Sequence, residues 1–167
     1  WKRERIEART RDILGAVHGL KARREVDPAH VGVLGHSQGG WVAEQPAADS
    51  VDVSFIVLMA GPGETVREQV LTDERNELLR SGRPAGEADA RVRTVNRWLA
   101  VMDAVAPACR LLRLHPLCYT VEYDPAPALR RIHVPVLALF GELDTMVPAD
   151  RNRPRIEEGL RLAGNTQ

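Results

Sequence analysis

A chain of 167 residues matches one ordinary domain, since domains usually run roughly 100–200 residues. Its 44% hydrophobic and 28% charged residues are the composition of a globular protein, not of a disordered tail or a membrane protein. Lysine plus arginine numbers 23 and aspartate plus glutamate also 23, with both signs interspersed, so no basic face favours nucleic acid and a small or neutral ligand fits better.

No stretch approaches the roughly 20 apolar residues of a membrane span. Trp1-Lys2-Arg3-Glu4-Arg5 lacks the apolar core of a signal peptide, which points to the cytoplasm. Cys109 and Cys118 are the only cysteines. They cannot build a disulfide framework and read as reduced thiols. Without C-x-x-C or H-x-x-x-H spacing, no metal or other cofactor is expected.

Ile6, Ile13, Leu14, Val17 and Leu20 lie on one helical stripe, predicting an amphipathic helix over residues 4–25. Val26-Asp27-Pro28 stops it, because the residue before proline is pushed out of the helical region. Val31 to Leu34 is a short strand running into Gly35-His36-Ser37-Gln38-Gly39-Gly40. A helix begins at Trp41-Val42-Ala43 and is weakened by Pro46. Val53 to Ala60 is nearly all apolar, as in a parallel strand covered on both faces, and Gly61-Pro62-Gly63 ends it.

From Glu64 to about Pro127 the pattern is helical without strands. One helix carries Val66, Val70, Leu71, Leu78 and Leu79 and ends near Gly82. Val92, Val95, Leu99, Met102 and Val105 form the stripe of a second, which Pro107 ends, and residues 108–127 read as irregular. Val134 to Phe140 is the third strand, followed by Gly141-Glu142-Leu143-Asp144 and a helix over about 149–163. This order predicts an α/β fold with a parallel sheet and right-handed crossovers. Its core spans residues 1–63 and 128–167, and residues 64–127 form a helical cap insertion.

A strand turning sharply through Gly-x-Ser-x-Gly into a helix is a nucleophile elbow, with the serine strained and exposed. Gly35 and Gly39 are expected where the turn crowds neighbouring backbone. The helix beyond Ser37 aims N–H groups at a developing oxyanion, with the backbone of Gln38 as one donor. The bland alternative is a glycine-rich connection whose serine merely caps a helix. Asp144 follows a strand's carboxyl end, where parallel α/β proteins place their chemistry. Its alternative is a turn aspartate, and Glu142 and Glu64 are rivals.

These motifs resemble the α/β-hydrolase family. Val26-Asp27-Pro28-Ala29-His30-Val31-Gly32 before the serine turn is similar to bacterial esterases related to dienelactone hydrolases and prolyl-oligopeptidase-like enzymes. Phe55-Ile56-Val57-Leu58 with Gly61-Pro62-Gly63 looks like the group's next strand. Val134 through Pro148 looks like the strand and loop bearing the catalytic acid, so the resemblance gives that role to Asp144. It implies a three-layer parallel sheet and a serine-dependent hydrolase of carboxylic esters, thioesters or amides.

Family members place the triad histidine after the acid, and no histidine follows Asp144. His30 and His133 precede their strands, His18 lies beside the first helix's stripe, and His36 is expected to be packed and hydrogen-bonded on the other side of its strand. His115, in the insertion, is the candidate for a recruited base. An early strand bearing a second oxyanion donor is also missing, so the fold is expected to be incomplete, the middle and C-proximal part of a larger hydrolase. A non-catalytic remnant or binding module is the opposing class. Trp98, Leu99, Met102, Leu111, Leu112, Leu114 and Leu117 are candidates for an acyl pocket. The unpaired edge of the Val31–Leu34 strand is expected to draw the chain into a homodimer.

Overall fold

The stripe through Ile6, Ile13, Leu14 and Val17 winds into helix α1 (Arg3–Lys21). The structure is a computed structural model that describes residues 3–111 and 123–166, with side chains over 6–108 and 123–166. α1 stops at Lys21, short of the expected Glu25. The Arg23 N–H bonds Leu20 O at 3.0 Å and the Val26 N–H bonds Arg23 O at 3.2 Å, three-residue turns that unwind the helix before Pro28 is reached. Asp52 fastens the end of α1, taking Lys21 Nζ at 2.7 Å and lying 2.8 Å from His18 Nε2.

Three short strands follow, β1 (Val33–His36), β2 (Ile56–Met59) and β3 (Val136–Leu139), paired in parallel in the order β1-β2-β3. β1 lies later than its apolar run. The ladder runs from Val33 N–H on Phe55 O (3.0 Å) to Ser37 N–H on Met59 O (2.8 Å), so Gly35 and His36 are drawn into it. Helix α2 (Gly39–Asp49) joins β1 to β2 and passes through Pro46 without ending. The proline removes one N–H donor, and its side chain is fully buried. After β2 come α3 (Val66–Arg80), α4 (Ala85–Leu111) and the short α5 (Ala126–Leu129). The last helix is α6 (Ala149–Leu162).

The register sorts the sheet into two faces. Val33, Ile56 and Val136 form one row and Gly35, Leu58 and Ala138 the next. This face meets Val17, Ala43, Ala47, Leu129, Ile132 and Ile156 in the hydrophobic core. The opposite rows are Leu34, Val57, Leu137 and His36, Met59, Leu139, with Leu34 60% and Leu137 53% exposed. The expected covering of β2 on both faces is therefore corrected: Met59 is exposed. The cause is topological. Strand order advances without reversal, and crossovers of one hand then deliver the helices of this unit to one side.

By its contacts the chain divides into two compact units, Glu4–Glu64 with Asp124–Gln167, and a second built mainly of Thr65–Tyr123. In the second, Thr65 caps α3 through a capping box with Glu68. α3 and α4 run antiparallel, as their ties show: Arg67 to Asp103 and to Asn96, Arg75 to Asp89 (2.8 Å), and Glu74 to Arg91 (2.7 Å). α4 continues past Pro107 to Leu111, and its buried stripe ends on Ala106 instead of Val105, which is exposed. No helix among the described residues is long and apolar enough to cross a membrane.

Helix α2 hides an unusual group. Glu44 is fully buried, and neither carboxylate oxygen has a hydrogen-bond partner. Burial pushes its carboxyl well above the usual range, with no charged neighbour to offset it. The folded state thus holds a proton that the unfolded state releases above about pH 4.3. Stability from this site is fully present below that pH and is lost as pH rises toward the folded value. Melting curves from pH 5 to pH 8 should show this decline in the parent chain. Glu44→Gln should flatten it and add about 1–3 kcal/mol at neutral pH.

Candidate functional site

The carboxyl ends of the strands carry the chemistry-bearing residues. Ser37 is the first residue past β1, and its φ of 51° lies in the left-handed region, a strain of about 1–2 kcal/mol for a residue with a side chain. Two bonds hold it there: its N–H donates to Met59 O at 2.8 Å and its carbonyl accepts the Gly40 N–H at 2.8 Å. The chain then enters α2 through Gln38 at φ −50° and ψ −27°. The Gln38 N–H has no partner among the described residues and stands at the helix's electropositive end.

Crowding explains the glycines, though not as the sequence implied. A Cβ on Gly35 would sit 2.2 Å from Gly39 O, so the strand and the helix that follows it touch through bare backbone. At Gly39 itself a Cβ would meet nothing within 4 Å, which corrects the expectation that this residue is needed for close approach. Gly40 takes that role, because a Cβ there would lie 2.7 Å from the Gly61 Cα. The second half of Gly39-Gly40 was the unused signal. Ala60, one register step beside Ser37, is also left-handed at φ 47° and donates to Leu139 O at 2.7 Å. Nothing in an apolar run ending Met-Ala-Gly announces this strain.

Asp144 lies in the turn after β3, half-buried. Its Oδ1 accepts the N–H of Met146 at 2.9 Å and of Val147 at 3.0 Å. Oδ2 makes no bond among the described residues and is available to another donor. Glu142 is exposed. Glu64 is fully buried and ion-paired to Arg151, Oε1 lying 2.6 Å from Nη2. This ion pair ties the loop after β2 to the first turn of α6.

Four histidines are described, and none bonds Ser37 or Asp144. His18 pairs with Asp52, and His30 Nδ1 lies 2.7 Å from Asp27 Oδ2. His133 is exposed. His36, expected to be packed and bonded, is instead exposed on the open sheet face, because no helix of this topology reaches that side. His115, Cys118, Leu112, Leu114 and Leu117 lie outside the described residues, as do the side chains of Cys109 and Leu111. Of the remaining acyl-pocket candidates, Leu99 is buried, Met102 half-buried, and Trp98 61% exposed.

A sequence model described as the alpha/beta hydrolase family matches residues 4–163. The chain belongs to the alpha/beta hydrolase family. No curated protein matches it. The parallel sheet with helices packed on it is an α/β fold of this family's kind, and membership supports a hydrolase-type activity.

The glycine geometry gives a graded expectation. Gly35→Ala and Gly40→Ala should each cost about 3 kcal/mol, since backbone, not a movable side chain, blocks the new Cβ. Gly39→Ala should change stability by less than about 1 kcal/mol. Thermal denaturation of the three variants checks the order, and equal losses at 35 and 39 would contradict it.

Proposed function

We propose that the chain is a serine hydrolase of carboxylic esters, related to the dienelactone hydrolase and prolyl-oligopeptidase-like esterases, that works through an acyl-enzyme on Ser37. The observation that carries this reading is the left-handed Ser37 held between a strand end and the N-terminus of α2. That is the strand–turn–helix a nucleophile elbow requires. Ser37 Oγ attacks the ester carbonyl while a base takes its proton. The Gln38 N–H steadies the oxyanion, and water then releases the acid.

Asp144, with Oδ2 open, orients the base. Strand spacing puts β3 about 10 Å from β1, a gap that an imidazole between Ser37 and Asp144 spans. His115, outside the described residues, is the candidate for a recruited base, and the reading of Ser37 as nucleophile does not depend on it. The second reading, a non-catalytic hydrolase-like module, is favoured by one fact: none of the four described histidines bonds to Ser37 or Asp144.

A fluorophosphonate probe should label the parent chain and leave Ser37→Ala unlabelled. Without a base a serine triad loses up to about a millionfold in turnover, about 8 kcal/mol. Hydrolysis is therefore expected to be weak and confined to activated short-chain esters such as p-nitrophenyl acetate. Ordinary turnover that collapses in His115→Ala would identify the base. Turnover unaffected by Ser37→Ala would remove Ser37 as the nucleophile, and absence of both labelling and turnover would leave the non-catalytic reading standing.

Association is part of the proposal. β1 and β3 each expose one unpaired edge among the described residues, and edge pairing between two copies satisfies the open N–H and C=O groups. Light scattering should report about twice the 18.5 kDa of one chain. A stable monomer at high concentration would rule the dimer out.

A further inference from the structure

The Ser37 turn and the Asp144 turn stand on different strands, and a series of buried and half-buried polar contacts, joined by short stretches of backbone, runs between them. Trp41, in the first turn of α2, donates Nε1–H to the Glu64 carbonyl at 3.1 Å. Asn152 of α6 is fully buried. Its Oδ1 accepts the Gly63 N–H at 2.9 Å and the Glu64 N–H at 3.1 Å. Its Nδ2 donates to Pro148 O at 2.9 Å.

Pro148 directly follows Val147, whose N–H is held by Asp144 Oδ1. The buried Glu64 carboxylate is paired with Arg151, the neighbour of Asn152. Close packing leaves this path little slack: a Cβ on Gly63 would lie 2.6 Å from Asn152 O, and Gly40 abuts Gly61.

We infer that Asn152, with Glu64, is a positioning residue that sets the Asp144 turn relative to the Ser37 turn by bridging the loop after β2 to the start of α6. The inference rests on the serine hydrolase reading. One amide side chain satisfies two backbone donors and one backbone acceptor, and no apolar residue of its size could do so. The ladder ties Ser37 to Met59 and Ala60 to Leu139, but the Asp144 turn lies beyond its last bond.

Three variants test it: Asn152→Ala, the isosteric Asn152→Asp, which keeps an acceptor for both N–H groups but cannot donate to Pro148 O, and Ile156→Val as a control. Ile156 is buried on the same helix and touches the core. Two quantities are read, the rate of fluorophosphonate labelling at Ser37 and amide exchange at Met146 and Val147. The Asn152 variants should label about 10- to 100-fold more slowly, the range expected for a misplacement of about 1 Å. They should also exchange faster at both amides, beyond any change in Ile156→Val at matched loss of melting temperature.

Labelling and exchange that follow the control would overturn the positioning role while leaving the hydrolase reading intact. Labelling that persists in Ser37→Ala would remove the hydrolase reading, and the positioning role with it.

Discussion

The contact of Gly35 with the carbonyl of Gly39 is the constraint on which the rest of the unit depends. A strand can turn directly into a helix that doubles back along it only if the two backbones meet with no side chain between them. That approach fixes Ser37 in the left-handed region, sets α2 against β1 and β2, and brings Gly40 onto Gly61. The strain at Ser37 is small beside the burial it permits. Trp41 and Val42 are buried on α2 with Ala43 and Ala47, and burying a side chain such as valine contributes about 1.5–3 kcal/mol.

Buried polar groups in this unit fall into two kinds. Asn152 and Glu64 are satisfied by backbone groups and an arginine, and they join segments far apart in sequence. Such contacts add little net stability, but removing one partner strands the other at a cost of about 1–3 kcal/mol, so they specify geometry. Glu44 is the opposite case. It faces the interior with both oxygens unmatched, and the fold keeps it by keeping it neutral. A helix that must present Ser37 at its start thus carries, seven positions on, a group that opposes its burial at high pH.

Topology decides what the sheet leaves open. Three parallel strands in sequential order with crossovers of one hand place the helices together, and the opposite face keeps Leu34, Met59, Leu137 and Leu139 in contact with water. Large parallel sheets hide both faces. This is why the apolar pattern of Val53 to Ala60 read as doubly covered although only Ile56 and Leu58 of β2 reach the core.

The sequence by itself determined the alternation of strands and helices, the strained serine turn after β1, the turn that sets Asp144 after β3, and the helices between β2 and β3. Each is a local pattern whose cause lies within a few residues: helical stripes, β-branched runs, glycine at a tight turn. The same locality explains its errors. Pro107 read as a stop and Pro46 as a weak point because a proline opposes a helix on its own account, whereas each lies inside a helix here.

Only the tertiary structure decided that Gly40, not Gly39, is the crowded glycine, that Glu64 is buried and paired with Arg151, and that His36 faces water. It alone brought Asn152 to Gly63 across 89 positions. Those outcomes depend on which segment arrives opposite a residue. No window of neighbouring sequence contains that information, because the segments meet through the sheet and its crossovers.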